Sequence, residues 1–333
     1  MHFWGTICFF FVLSLQMIRT IMCRDLDSAF SELIQEYLTV VTFWLFWNHY
    51  HETKNEYAYD DMSKEWISCY YLMVICSALG IFFQYFLFLR THRVYGFASI
   101  WTGRQSFDLL FSGYSVLSVL IGGGMVIAVS KILDRHNSWY NLGILMLLSL
   151  ACGINSARSG FFAAIAIIAI MVINAFQKKR ITGTTLIIST VAVFVISFSL
   201  YYLVSRRTSI SQGRLFAGHG RIELARAGLE QIQENSWNFL FGIGINGAQI
   251  YGLSQHNMFL EMQVLNGVFF FVPFTIAVLY ILYVTRKKTG RFLLWHILLA
   301  HQLISSFFAT TFLLPVLIIA ISSELEKLPT SKV

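Results

Sequence analysis

Residues 206–267 read RRTSISQGRLFAGHGRIELARAGLEQIQENSWNFLFGIGINGAQIYGLSQHNMFLEMQVLNG. This is the longest interval of the chain in which no apolar run is long enough to cross a bilayer. It carries Arg206, Arg207, Arg214, Arg221 and Arg226, a glycine-flanked His219, and the pair His256-Asn257. On either side of it, apolar runs near the roughly 20 residues that a spanning helix needs follow one another. The stretch is thus the polar exception in a membrane protein. The fold expected is all-α, one polytopic membrane domain over residues 1–333, with about ten transmembrane helices and one large external loop, residues 205–267, containing an amphipathic helix.

Composition agrees. Of 333 residues, 56% are apolar and only 12% charged, about half the charge of a soluble domain, which is roughly 25%. The net charge of +7 fits basic cytoplasmic loops and anionic ligands rather than nucleic acid. The five cysteines are odd in number and share no metal-like spacing. No metal and no cofactor are expected.

Before the loop, apolar runs cover residues 2–17, 33–47, 66–89, 109–129, 139–155, 158–176 and 182–204. The first lacks the basic start and small-residue cleavage site of a signal peptide, so a membrane helix is expected there. Residues 49–65 read as an acidic loop. The triplet Gly122-Gly123-Gly124 is expected to kink the fourth run or to let another helix approach it closely. After the loop come residues 268–284 and then 292–322, where Pro315 leaves open two short helices or a helix with a re-entrant segment.

The clusters Lys178-Lys179-Arg180 and Arg286-Lys287-Lys288 are expected to be cytoplasmic by the positive-inside rule. One span, the long loop and another span separate them, which places the loop outside. On that assignment all nine lysines fall on the cytoplasmic side, and eleven of the fifteen arginines fall on the external side. A topology signal alone does not ask for that split. Arginine's rigid fork matches phosphate oxygens bidentately, and lysine's point charge does not. An external face that grips phosphate or pyrophosphate accounts for it; chance with interfacial snorkelling is the alternative.

Within the loop, Ile222, Ala225, Leu229 and Ile232 recur at helical spacing. Arg221 then lies in the first helical turn, where a cation opposes the helix dipole by roughly 0.3–1 kcal/mol. The free N–H groups at such an end attract anions, so a guanidinium beside them makes sense if a phosphate is held there. Phe241-Gly242-Ile243-Gly244 reads as a glycine-rich turn. His256-Asn257 opens a further helical pattern leading into the next span. A histidine at the mouth of an external cavity can take a proton from a sugar hydroxyl, an effect worth about 10²–10⁴-fold.

Arg221, the Phe241–Gly244 turn, His256-Asn257 and, ten residues after the asparagine, Gly267 together resemble the large periplasmic loop of the O-antigen polymerase and O-antigen ligase superfamily. The ligase pattern ends in Gly, Thr or Tyr where this chain has Phe270. Two upstream pieces resemble the family as well: Arg93-Val94-Tyr95-Gly96, without the Pro-Asn that often follows, and Ser156-Ala157-Arg158-Ser159-Gly160. The resemblance implies a metal-independent glycosyltransferase of the bacterial inner membrane. Its donor would be an undecaprenyl-pyrophosphate-linked oligosaccharide, and its acceptor a sugar hydroxyl. His256, Arg221 and Arg158 are then the expected catalytic residues; Arg93, Arg214, Asn257, Gly242 and Gly244 are the expected substrate contacts. Membrane lipid, a chain-length regulator and a flippase are the implied partners.

Phe270 and the short chain favour repeat-unit polymerase over ligase. A metal-dependent lipid-linked-sugar transferase would use Asp25-Leu26-Asp27, and a transporter would use His296 and His301 inside a late span. Both remain as alternatives.

Overall fold

The computed structural model describes residues 41, 59–91, 114–134, 137–155, 159–177, 183, 190, 193–194, 196–199, 201–202, 221–243, 257–285 and 290–302. Among them all regular structure is helical and no strand occurs. The helices are α1 (Tyr59–Thr91), α2 (Tyr114–Leu133), α3 (Ser138–Asn155), α4 (Ser159–Gln177), α5 (Arg221–Gln233), α6 (Ser236–Phe241), α7 (Met258–Val284) and α8 (Arg291–His301). Four stretches are long and apolar enough to cross a membrane: Ile67–Thr91 in α1, Ser115–Leu133 in α2, and the whole of α3 and α4. The chain is a helical, multi-pass membrane protein.

Two boundaries depart from the hydropathy reading. Part of the expected acidic loop, from Tyr59, is already helix. At the other extreme, α2 runs past its apolar stretch through Lys131 to Leu133. The Lys131 ammonium sits 4.5 Å from the centre of the Tyr71 ring, and a cation in the last turn also suits the helix dipole. The apolar run ended there; the helix did not need to.

Packing divides the chain into two compact units. The described part of one holds α1–α4, the helical residues between 183 and 202, and α8 up to Ala300. Its centre is α2, buried over 78% of its spanning window against 22% for α1. The outer face of α1 shows Leu72, Leu79, Phe83, Phe86 and Leu89. A helix apolar on its exposed face as well as its buried one is built for lipid.

The glycine triplet serves close approach, not a kink, for α2 runs unbroken through it. A Cβ on Gly122 would stand 2.7 Å from the Gly160 carbonyl oxygen and 2.7 Å from the His296 ring. One on Gly123 would strike the Tyr70 hydroxyl. Small residues at such crossings let helix backbones touch. Polar side chains then bond across these crossings. Tyr70 Oη donates to the Leu120 carbonyl at 2.9 Å, and Ser118 Oγ accepts from Gly160 N–H at 3.2 Å. The fully buried His296 bonds through Nε2 to the Val119 carbonyl at 3.0 Å. A carbonyl only accepts, so that nitrogen carries the proton.

The described part of the other unit holds Val41, α5, α6, α7 and residues 301–302. Most of the residues singled out in the loop fall in this stretch of the sequence.

Candidate functional site

The site region is built from two short helices and the broken start of a third. Helix α5 begins at Arg221, the first-turn position expected from the sequence, with Glu223 in the same turn. Among its described side chains, Leu229 departs from the periodicity. Leu229 is 43% exposed, and the core line passes instead through Gly228 and Ile232. Ile232 packs with Val264 and Leu265 of α7, flanked by Ile243 and Leu260. One small apolar core thus joins the end of α5 to the start of α7.

Helix α6 has no counterpart in the hydropathy pattern. Six residues are too few to show a period, and the signal lies in its ends. Asn235 caps it, with extended backbone (φ −154°, ψ 157°) and Oδ1 accepting from Asn238 N–H at 2.7 Å. Asn238 Nδ2 donates to the Gln231 carbonyl at 3.2 Å, tying α6 back to α5. Gly242 closes the helix at φ 75°, ψ 180°, its N–H donating to the Asn238 carbonyl at 2.8 Å.

Helix α7 starts where the sequence pattern placed it. Asn257 Oδ1 accepts from Leu260 N–H at 3.1 Å, and its carbonyl accepts from Glu261 N–H at 2.8 Å. That is an N-cap, the role asparagine fills well. Asn257 Nδ2 donates to Gln302 Oε1 at 3.1 Å. The amide expected to contact substrate therefore has a structural task at both of its polar ends.

Gly267 interrupts α7 at φ 68°, ψ −175°. Gly242 and Gly267 both occupy a backbone region that is essentially glycine-only, and they face each other's helices. A Cβ on Gly242 would run into the Leu265 carbonyl and Asn266 N. One on Gly267 would run into the Leu240 carbonyl and Gly242 N. Beside this junction Ile243 N–H donates to the Val264 carbonyl at 2.9 Å. Backbone thus touches backbone where the end of α6 meets the break in α7.

One residue escaped the sequence reading. Glu261 is only 5% exposed, in an otherwise apolar turn of α7. A buried carboxylate is costly unless paired or hydrogen-bonded. Its signal was available, as an acidic residue four positions after a capping asparagine inside the run Phe259–Leu265.

Of the residues expected at the site, Gly242 and Asn257 are described in full and Arg221 by its backbone. Arg93, Arg158, Arg214, Gly244 and His256 lie outside the described residues, as does the Asp25-Leu26-Asp27 alternative. His296 and His301, the transporter alternative, are both buried. Among the described residues no three His, Cys, Asp or Glu side chains converge as metal ligands would. No protein-family model, curated protein or solved structure matches the chain.

Proposed function

We propose that the chain is a bacterial repeat-unit polymerase of the inner membrane, with about ten spans and residues 205–267 as its external loop. In the proposed reaction an acceptor sugar hydroxyl attacks the anomeric carbon of a glycan linked to undecaprenyl pyrophosphate. The new glycosidic bond forms as the bond from that carbon to the pyrophosphate oxygen breaks. His256 takes the hydroxyl proton. Arg221 and Arg158, with Arg93 and Arg214 beside them, hold the departing undecaprenyl pyrophosphate and stabilise its growing charge, where preorganised donors act best.

The observation that carries this reading is a pair of helix starts in one compact unit. Arg221 is the first residue of α5, and His256 directly precedes the Asn257 cap of α7. Exposed N–H groups at helix N-termini favour anions, so an arginine at one start and a histidine at the other suit a diphosphate substrate. The order of the motifs along the chain and the arginine-rich external face support it further.

The test is incubation of the purified protein with an undecaprenyl-pyrophosphate repeat unit. Wild type should give longer lipid-linked chains, and His256→Ala and Arg221→Ala should lose at least about 10²-fold in rate, the usual scale for a general base or a charge-stabilising donor. Arg221→Lys keeps the charge and loses the fork, so unchanged turnover in that variant contradicts the clamp. A deletion strain that shows bare core, instead of core capped by a single repeat, points to the ligase reaction in place of polymerisation.

A further inference from the structure

Helix α6 turns aromatic side chains outward. Its two asparagines are occupied by local backbone bonds, Asn235 on the cap and Asn238 on the Gln231 carbonyl. Trp237, by contrast, is 53% exposed and Phe239 is 45% exposed. Trp237 shares a face of α6 with Phe241 at i, i+4 spacing, and exposed aromatics grouped on one face mark a contact surface. The Trp237 and Phe241 rings lie 4.3 Å apart, and Phe241 lies 5.3 Å from Phe269 of α7.

Phe269 begins an exposed stripe along α7. Val272, Ile276 and Leu279 follow it at helical spacing, with Ile276 61% exposed. The helix carries no charged residue from Val268 to Val284. This is the same signature as the lipid-facing side of α1, and it is continuous with the α6 aromatics through the Phe241–Phe269 contact. The occupant of one surface is therefore the occupant of the other.

We infer that α6 is a membrane-interface anchor, with Trp237 seated at the boundary between headgroups and acyl chains, next to the start of the α7 stripe. Tryptophan suits that layer because its ring is apolar and its indole N–H reaches the wet side. The anchor holds α6 and the end of α5 at the bilayer surface, beside the point where the α7 stripe begins. This follows from the apolar surface alone and does not depend on glycan transfer.

The experiment uses the full chain reconstituted into phosphatidylcholine–phosphatidylglycerol vesicles, wild type beside Trp237→Phe. The phenyl ring keeps the packing on Phe241, and matching elution and helicity establish that the variant folds. The difference between the two emission spectra isolates Trp237. That component should be blue-shifted, inaccessible to iodide, and quenched more by lipids brominated near the glycerol end than by lipids brominated near the chain terminus. Quenching by iodide with no response to brominated lipid overturns the inference, placing α6 in water. A component shielded from both quenchers, with shielding that fades as protein is diluted in the vesicles, also overturns it, because a second copy of the chain then covers the surface.

Discussion

Replacing Gly267 by alanine should loosen the α5–α6–α7 unit, and the size of the effect follows from the backbone. At φ 68°, ψ −175° an L-residue is strained by about 1–3 kcal/mol. The added Cβ also enters the Leu240 carbonyl and Gly242 N, an overpacking that costs about 1–3 kcal/mol more. Alanine restricts the unfolded chain and returns about 0.4–1 kcal/mol. The net loss is roughly 1–5 kcal/mol, against total stabilities of about 5–15 kcal/mol for ordinary domains. Limited proteolysis in detergent reads this directly, because cleavage tracks the population of the open form when reclosing is fast. At about 1.4 kcal/mol per decade (RT ln 10), cleavage between α6 and α7 should quicken at least several-fold.

Gly242→Ala should behave alike, and the double variant should cost less than the sum, because the two added carbons strain one junction. Gly143→Ala is the control: it lies in α3 with nothing within 4 Å of an added Cβ, and should be neutral or slightly stabilising. Wild-type cleavage in Gly267→Ala would refute the backbone contact. A Gly242→Ala protein of unchanged stability that failed only in glycan transfer would return that glycine to the substrate.

Three more outcomes follow from the described contacts. Asn257→Ala should cost about 0.5–2 kcal/mol through loss of the α7 cap, seen as faster amide exchange at Leu260; Asn257→Ser, which keeps a capping oxygen, should recover most of it. Gly123→Ala should destabilise the α1–α4 bundle because its methyl strikes the Tyr70 hydroxyl, and Tyr70→Phe should partly rescue it in thermal unfolding, giving a favourable coupling of about 0.5–3 kcal/mol. His296→Ala should lower the unfolding temperature through a lost hydrogen bond and a cavity, together about 2–4 kcal/mol; a changed pH dependence of transport in a variant of unchanged stability would instead favour the transporter alternative.

Much of the helical framework could be read from the letters. The fifth and sixth expected spans, residues 139–155 and 158–176, lie within one residue of α3 and α4 at each end. Polar or glycine-bearing junctions bound those runs, so hydropathy and helix end together. Lys131 shows where they separate, because a long cationic side chain can reach across an aromatic ring while its backbone stays helical. Leu229 shows another limit: Gly228 beside it takes the inner line, and an apolar side chain can remain outside. Nor could periodicity find α6, whose evidence is an asparagine at one end and a glycine at the other. Packing against distant segments, such as Gly267 on Leu240, is invisible to any local window.

The described part of the candidate site changes what the loop motif means. From the Asn257 cap to the Gly267 break is a helical segment of nine residues, Met258–Asn266, about 14 Å long at 1.5 Å per residue. One end is fixed by a cap that also reaches Gln302, and the other by a glycine docked on the end of α6. The spacing between the histidine–asparagine pair and the glycine is therefore a ruler. It sets how far the Asn257 cap stands from the α6–α7 junction. Asparagine and glycine in the pattern are explained by capping and close approach. The chemical burden of the proposed reaction then falls on the other proposed residues, His256 and the arginines, and those are the positions where a substitution that leaves stability intact is informative about chemistry.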